Sequence, residues 1–154
     1  MRRNKRCRQG FTLVEIMVVI GIIGLLAAIA IPNFIKVRKT AFHARFIADL
    51  HAAVAAFEMR ALEKGDYPPE TGPGQMPDGM EAYFKRMDWT APTPIGGNWD
   101  WDNGQFGFKA GISVTQADLD DAEMTEIDQK IDDGNLATGT FRRRAGGYIY
   151  ILQP

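Results

Sequence analysis

The residue that most restricts what this chain can do is a single carboxylate. Glu15 lies near the start of an apolar run that extends from Phe11 to Ile31 and is followed by Pro32. A charge in hydrocarbon costs about 2.5–3.5 kcal/mol on insertion scales. It needs a partner, and a positive group from another copy of the same segment supplies one. The competing reading is a residue that snorkels to the interface of a plain single-pass anchor.

The other candidate groups carry weaker chemistry. Asp128, Asp132, Asp133 and Asn135 surround Gly134. Calcium prefers several oxygen ligands, so the cluster raises the question of a metal, although its spacing is not that of an EF-hand loop. The same residues also read as surface acids around a helix that Gly134 caps. His43 and His51 are eight positions apart on a helical stretch, too far to converge on one ion, and read as packing or solvated side chains. Cys7 is the only cysteine. It lies in the basic leader, so a mature chain without the leader has no disulfide and no thiolate for zinc. Neither a nucleophile–base pair nor a phosphate-binding glycine loop is present. An enzyme is not expected, no catalytic residue is assigned, and no cofactor is expected beyond the calcium question.

The elements that position Glu15 follow from charge and hydropathy. The 154 residues suggest one domain plus a membrane segment. The net charge of −1 hides an asymmetry: residues 1–10 carry +5 and the remainder −6. A short basic stretch before an apolar segment stays on the cytoplasmic side. The acidic remainder argues against nucleic-acid binding by the globular part. The 21 residues from Phe11 to Ile31 make a helix of about 32 Å, enough for a hydrocarbon core of about 30 Å. Gly21, Gly24, Ala28 and Ala30 allow close helix approach, and Pro32 should kink or loosen the helix.

Beyond Pro32 the pattern remains helical. Ile47, Leu50, Val54, Phe57 and Ala61 form an amphipathic stripe. Gly65 and Pro68-Pro69 end the helix near residue 64. Residues 69–97 read as a loop with a short amphipathic piece at 79–87. Trp99 and Trp101 alternate with Asp100 and Asp102, Asn103-Gly104 reads as a hairpin turn, and Phe106 to Val114 alternate again. These aromatics read as the filling between sheet and helix, with a sugar-binding platform as the alternative. Thr115 is expected to cap a helix running to Ile131. A final hairpin is expected from 138–142 and 147–152, with Arg143 to Gly146 as a solvated turn. The fold class expected is α+β: a long N-terminal helix, membrane-spanning in its first half, packed by its second half on a small antiparallel sheet. The divisions expected are a leader (1–10), a membrane or filament-core helix (11–31), its amphipathic continuation (32–64) and a globular region (65–154).

Gln9-Gly10-Phe11-Thr12-Leu13-Val14-Glu15, with the basic leader before it and Gly24 and Pro32 after it, resembles the type IV pilin family, including the pseudopilins of type II secretion systems. The match covers roughly residues 5–35, and Gly65-Asp66-Tyr67-Pro68 adds a shorter one. The resemblance implies a pilin-like fold and cleavage after Gly10 by a prepilin peptidase, with N-methylation of Phe11. It implies a role for Glu15 and Thr12 in filament assembly, with Glu15 paired to a neighbour's Phe11 amine, and helix flexibility at Gly24 and Pro32. It implies a homo-oligomeric or mixed filament of pilin-like subunits, an inner-membrane assembly platform, membrane lipid as a partner, and a periplasmic C-terminal domain. It also implies calcium in a C-terminal loop, without assigning its ligands. The function expected is that of a type II secretion pseudopilin. The alternatives are a surface type IV pilin for adhesion, motility or DNA uptake, and a membrane-anchored periplasmic binding module.

Overall fold

The computed structural model describes residues 10–154. The basic leader before Gly10, with Cys7, lies outside the described residues. The elements are α1 (Leu13–Lys64), β1 (Asn98–Asn103), β2 (Ala110–Thr115), α2 (Asp121–Ile131), β3 (Phe141–Arg144) and β4 (Gly147–Gln153). The chain divides into two compact units, residues 1–40 and 41–154, with α1 contributing to both.

In the first unit α1 opens with a strongly apolar stretch. It is long and apolar enough to cross a membrane, and none of the residues in its most apolar stretch is buried within the protein. Its start is capped. The Thr12 hydroxyl accepts from the Glu15 N–H at 3.2 Å and the Thr12 carbonyl from the Ile16 N–H at 3.3 Å. Thr12 and Glu15 have the spacing of a capping box, in which the first-turn carboxylate also favours the positive end of the helix dipole. Pro32 lies within the helix. Its missing N–H leaves the carbonyl one turn earlier without its usual donor.

In the second unit the sheet is antiparallel, in the order β1-β2-β4-β3. Alternation sorts its side chains onto two faces. Trp101, Ile112, Tyr150 and Phe141 lie in one row across the four strands, and Trp99, Val114 and Tyr148 in the next. This face meets the helix residues from 41 onward. The Phe57 ring stacks on Trp101 at 3.8 Å between centroids, and Phe46 stacks on Trp99 at 5.3 Å. The tryptophans are thus core, as their alternation predicts, and offer no exposed platform. α1 ends where expected: Gly65 takes φ 83°, and its N–H returns to the Ala61 carbonyl at 2.8 Å.

Four local expectations are corrected. The first concerns α2, which begins at Asp121, not near Thr115. Thr115 remains in β2, paired with Gly147, and the Asp120 carboxylate caps the helix by accepting from the Glu123 N–H at 2.8 Å. Next, the β1–β2 connection is a loop over residues 104–109, not a two-residue turn. Phe106 at φ 52° and Gly107 at φ 83° reverse the chain there, so Phe106 and Phe108 lie outside the helix–sheet interface. The third change is in the last hairpin. Arg143 and Arg144 belong to β3, opposite Tyr148 and Gly147, and only Ala145-Gly146 form the turn. Finally, the segment between α1 and β1 contributes core. Met80 and Trp89 are fully buried, and the Trp89 indole N–H donates to the Gln75 carbonyl at 2.8 Å.

Candidate functional site

The residues singled out near the N-terminus come together only as a helix start. Gly10, Phe11, Thr12 and Glu15 are all exposed, and the Glu15 carboxylate projects from the third position of α1. A free amine at Phe11 would stand just before the helix N-terminus, where the dipole is also positive. Two positive ends at one place favour a nearby carboxylate. Gly24 and Pro32 fall on the apolar stretch, and nothing lies within 4 Å of where a Gly24 side chain would begin.

The acidic loop after α2 has a more specific geometry. Asp128 faces inward from the last turn of α2, and Asp132 and Asp133 follow it. One oxygen from each of the three lies within 4.8 Å of the others. Asp132 accepts from the backbone N–H groups of Thr140 and Phe141, and Asp133 accepts from the Thr138 hydroxyl at 2.7 Å. These contacts fold the segment 133–140 back over the helix end. Gly139 is required in that fold, because a side chain there would overlap the Asp132 carboxylate. Asp128 differs from its neighbours. It is fully buried, and no well-formed hydrogen bond reaches either carboxylate oxygen; only the Gly134 and Asn135 amides lie near it. Burial, then the charges of Asp133 and Asp132, push its carboxyl above the usual carboxylate range; the amides of Gly134 and Asn135 oppose this only in part.

A second acidic cluster lies on the sheet face away from α1. Glu70, Asp100 and Asp102 place one oxygen each within 4.8 Å of the others. Here a cation is already present. Arg144 reaches from β3 across the sheet, donating to Asp100 at 2.8 Å and to the Ser113 hydroxyl at 2.9 Å. Ser113 in turn donates to Asp102. The Phe106 ring covers the guanidinium at 4.4 Å, and Phe108 does the same for Arg142 at 5.6 Å. Burial, then Asp102, push the Asp100 carboxyl up to about 6. Sequence reasoning missed this network. Asp100 and Asp102 read as the polar half of an alternating strand, and Arg144 read as a solvated turn residue, whereas its side chain is 9% exposed. His43 is buried and His51 exposed, on separate surroundings of α1.

The two clusters therefore differ in charge compensation. Arg144 supplies one positive charge to the sheet cluster. Among the described residues no ion pair reaches Asp128. A hard divalent cation suits an inward carboxylate flanked by two more carboxylates, so the three donors at Asp128 are of the type that calcium takes.

The prokaryotic N-terminal methylation motif matches residues 5–31. The chain is 39% identical over 65 residues to the type II secretion system core protein G of Aeromonas hydrophila, covering 42% of this chain and 46% of that protein. It is 37% identical over 95 residues to the Dickeya chrysanthemi protein of the same name, covering 54% and 62%. To the type IV major pilin protein PilA of Myxococcus xanthus it is 47% identical over 66 residues, covering 43% and 30%. The chain thus spans about half the length of the curated relatives it matches. No solved structure matches the chain. The chain thus carries the prokaryotic N-terminal methylation motif over residues 5–31 and is similar, at 37–41% identity over part of its length, to core protein G of type II secretion systems.

Proposed function

We propose that this protein is a structural subunit of a pilus-like filament, a pseudopilin of a type II secretion system, and not an enzyme. The observation that carries the reading is the pairing of Glu15 with an apolar stretch of α1 that buries nothing within its own chain. Such a helix needs lipid or other helices around it, and in either setting the carboxylate needs a counter-charge. Cleavage after Gly10 frees an amine at Phe11. The amine of one subunit and Glu15 of the next then compensate each other when the helices pack in register. The motif over residues 5–31 supports this assignment of Gly10, Phe11, Thr12 and Glu15. Gly24 and Pro32 provide the weak points at which the helix adjusts as it leaves the bilayer.

In this reading a prepilin peptidase processes the chain, an inner-membrane platform assembles it with other pilin-like subunits, and residues 41–154 stand in the periplasm. Asp128, Asp132 and Asp133 hold a calcium ion there. Bound, the ion would supply the positive charge that the protein does not place beside Asp128. The similarity to a type IV major pilin favours a second reading, a surface pilus subunit with the same assembly chemistry.

Glu15→Ala tests the proposal. Processing of the precursor should remain, and filaments pelleted from sheared cells or periplasm should fall at least tenfold. Normal filaments from that variant would overturn the pairing.

A further inference from the structure

The cluster on the outer sheet face holds more negative charge than it compensates. Glu70 comes from the segment after α1, Asp100 and Asp102 from β1, and Arg144 from β3. β2 adds Ser113, which does not titrate, and β4 presents Gly147, Ile149 and Ile151. The loop 104–109 covers the cluster with Phe106 and carries Lys109, which is exposed. Three carboxylates thus converge within 4.8 Å on a site with one guanidinium. That guanidinium is spread over several partners: one N–H goes to Asp100, one to Ser113 and one to the Ala145 carbonyl, with Asp102 3.9 Å from its Nε.

The three carboxylates are not equivalent. Asp100 and Asp102 are buried and fixed by the strand, at 6% and 3% exposure. Glu70 is exposed, and its carboxylate accepts from the Asn103 backbone N–H at 2.5 Å. It is the member that can leave. Asp100 has the opposite character: its Oδ2 holds Arg144, while its Oδ1 is buried without any partner. A buried acceptor with no donor is costly, and a proton on it converts the oxygen from an orphaned acceptor into a donor for a neighbouring carboxylate. Like charges this close do not all ionise without penalty.

We infer that Glu70, Asp100 and Asp102 form a proton-operated latch between the segment after α1 and the edge of the sheet. With one proton shared at Asp100, Glu70 stays docked on the Asn103 N–H. When all three ionise, repulsion acts on the one mobile member, and Glu70 swings into solvent and releases Asn103. The Trp101 indole and the Asn103 side chain still hold the Pro68 carbonyl, at 3.0 and 2.7 Å. The motion is therefore confined to Glu70 and its immediate neighbours. Burial, then Asp102, raise the Asp100 carboxyl to about 6 against the opposing pull of Arg144, a range that ordinary changes of external pH reach.

The test follows the Asn103 backbone amide in the 15N-labelled full chain in detergent micelles, from about pH 4.5 to 8. The wild type should show one step in the amide shift with a midpoint near pH 6. Asp100→Asn mimics the protonated state and should hold the amide at its low-pH position throughout. Glu70→Gln, a change at an exposed side chain, should abolish the Asn103 step and move the titration of Asp100 toward the ordinary carboxylate range. The absence of a wild-type step between about pH 5 and 7, or a step that persists unchanged in Glu70→Gln, overturns the latch. If Asp100→Asn does not fold, Glu70→Gln alone decides.

Discussion

Asp128→Asn separates a metal site from a merely acidic loop, because the two accounts predict different signs. The wild-type side chain is fully buried, and no cation and no well-formed hydrogen bond among the described residues reaches its oxygens. Two more carboxylates reach within 4.8 Å. Without a cation this arrangement is a liability: the effective penalty for an uncompensated buried charge is on the order of several kcal/mol. Asparagine keeps the shape and removes the charge. In chelator, Asp128→Asn should therefore melt at the wild-type temperature or above it. Calcium reverses the order. At a concentration of about 100 times Kd, a ligand that binds only the folded state contributes about 2.7 kcal/mol. For a chain of this size, 1 kcal/mol corresponds to about 2–4 °C, so the wild type should gain roughly 5–11 °C. The variant, whose inward group keeps one oxygen but loses its charge, should gain much less.

The assay is thermal unfolding of the full chain in detergent, followed by near-ultraviolet circular dichroism. Trp89, Trp99 and Trp101 are all buried in the second unit, so the signal reports that unit and not the apolar helix. Equal wild-type melting temperatures with calcium and with chelator would remove the metal. A variant that melts well below the wild type in chelator would refute the premise that Asp128 lacks a compensating contact. Magnesium is the natural control, since it demands tighter octahedral geometry and gives up water reluctantly.

Three further outcomes are expected. Phe57→Ala removes a ring stacked on Trp101 and in edge contact with Trp89 and Phe84, and should cost about 3–5 kcal/mol in urea unfolding; a loss below about 1 kcal/mol would show that the surrounding aromatics close the gap. Asp100 binds its proton more tightly in the folded state, so the stability it contributes is complete below pH 3.8 and is lost as pH rises through about 6. The full effect is about 3 kcal/mol, and Asp100→Asn should flatten the slope across that window. Gly10→Val should retain the leader, seen as a precursor band on gels, because a branched side chain now crowds the bond to be cut; complete processing would count against cleavage at that junction.

The parts of the fold that were legible in the sequence are those where one period runs undisturbed. The stripe through Leu50, Val54 and Phe57 marked the buried face of α1, and the alternation at Trp99 and Trp101 marked the inner face of β1. Gly65 marked the helix end because a left-handed residue is needed there. What escaped depends on tertiary partners. Met80 was marked as an apolar position of the short amphipathic piece, but Trp89 lies just beyond it in a stretch with no period, so nothing local announces that it is core. Arg144 follows two other arginines, and a run of three charges before glycine reads as a turn; Asp100, three strands away in the sheet, holds it in β3. Asp120 prevailed over Thr115 as the cap because Thr115 was already committed to its pairing with Gly147. The acidic residues around Gly134 were visible as a cluster. That Asp128 alone is buried and unsatisfied was not, because it depends on which way the last turn of α2 faces.

Charge compensation connects the three places where this chain holds carboxylates under strain. At the sheet cluster the protein provides its own cation, and the deficit that remains is small enough for a proton to cover. At Asp128 no cation is provided and the side chain is sealed from water, so a proton or a metal ion is the available remedy. At Glu15 neither remedy is built in. The side chain is exposed on a helix whose surroundings must come from outside the subunit, and that helix buries none of its apolar stretch. Lipid alone would give one subunit no reason to align with the next. An amine from a neighbour satisfies the charge only at one axial offset. Register is thereby specified by the same penalty that makes the carboxylate costly. Glu15→Gln sharpens the point: it removes the charge and nearly keeps the volume. If cost alone mattered, the glutamine chain should assemble as well as the wild type or better. If register matters, it should assemble poorly or with a disordered helical repeat, and electron micrographs of purified filaments decide between the two.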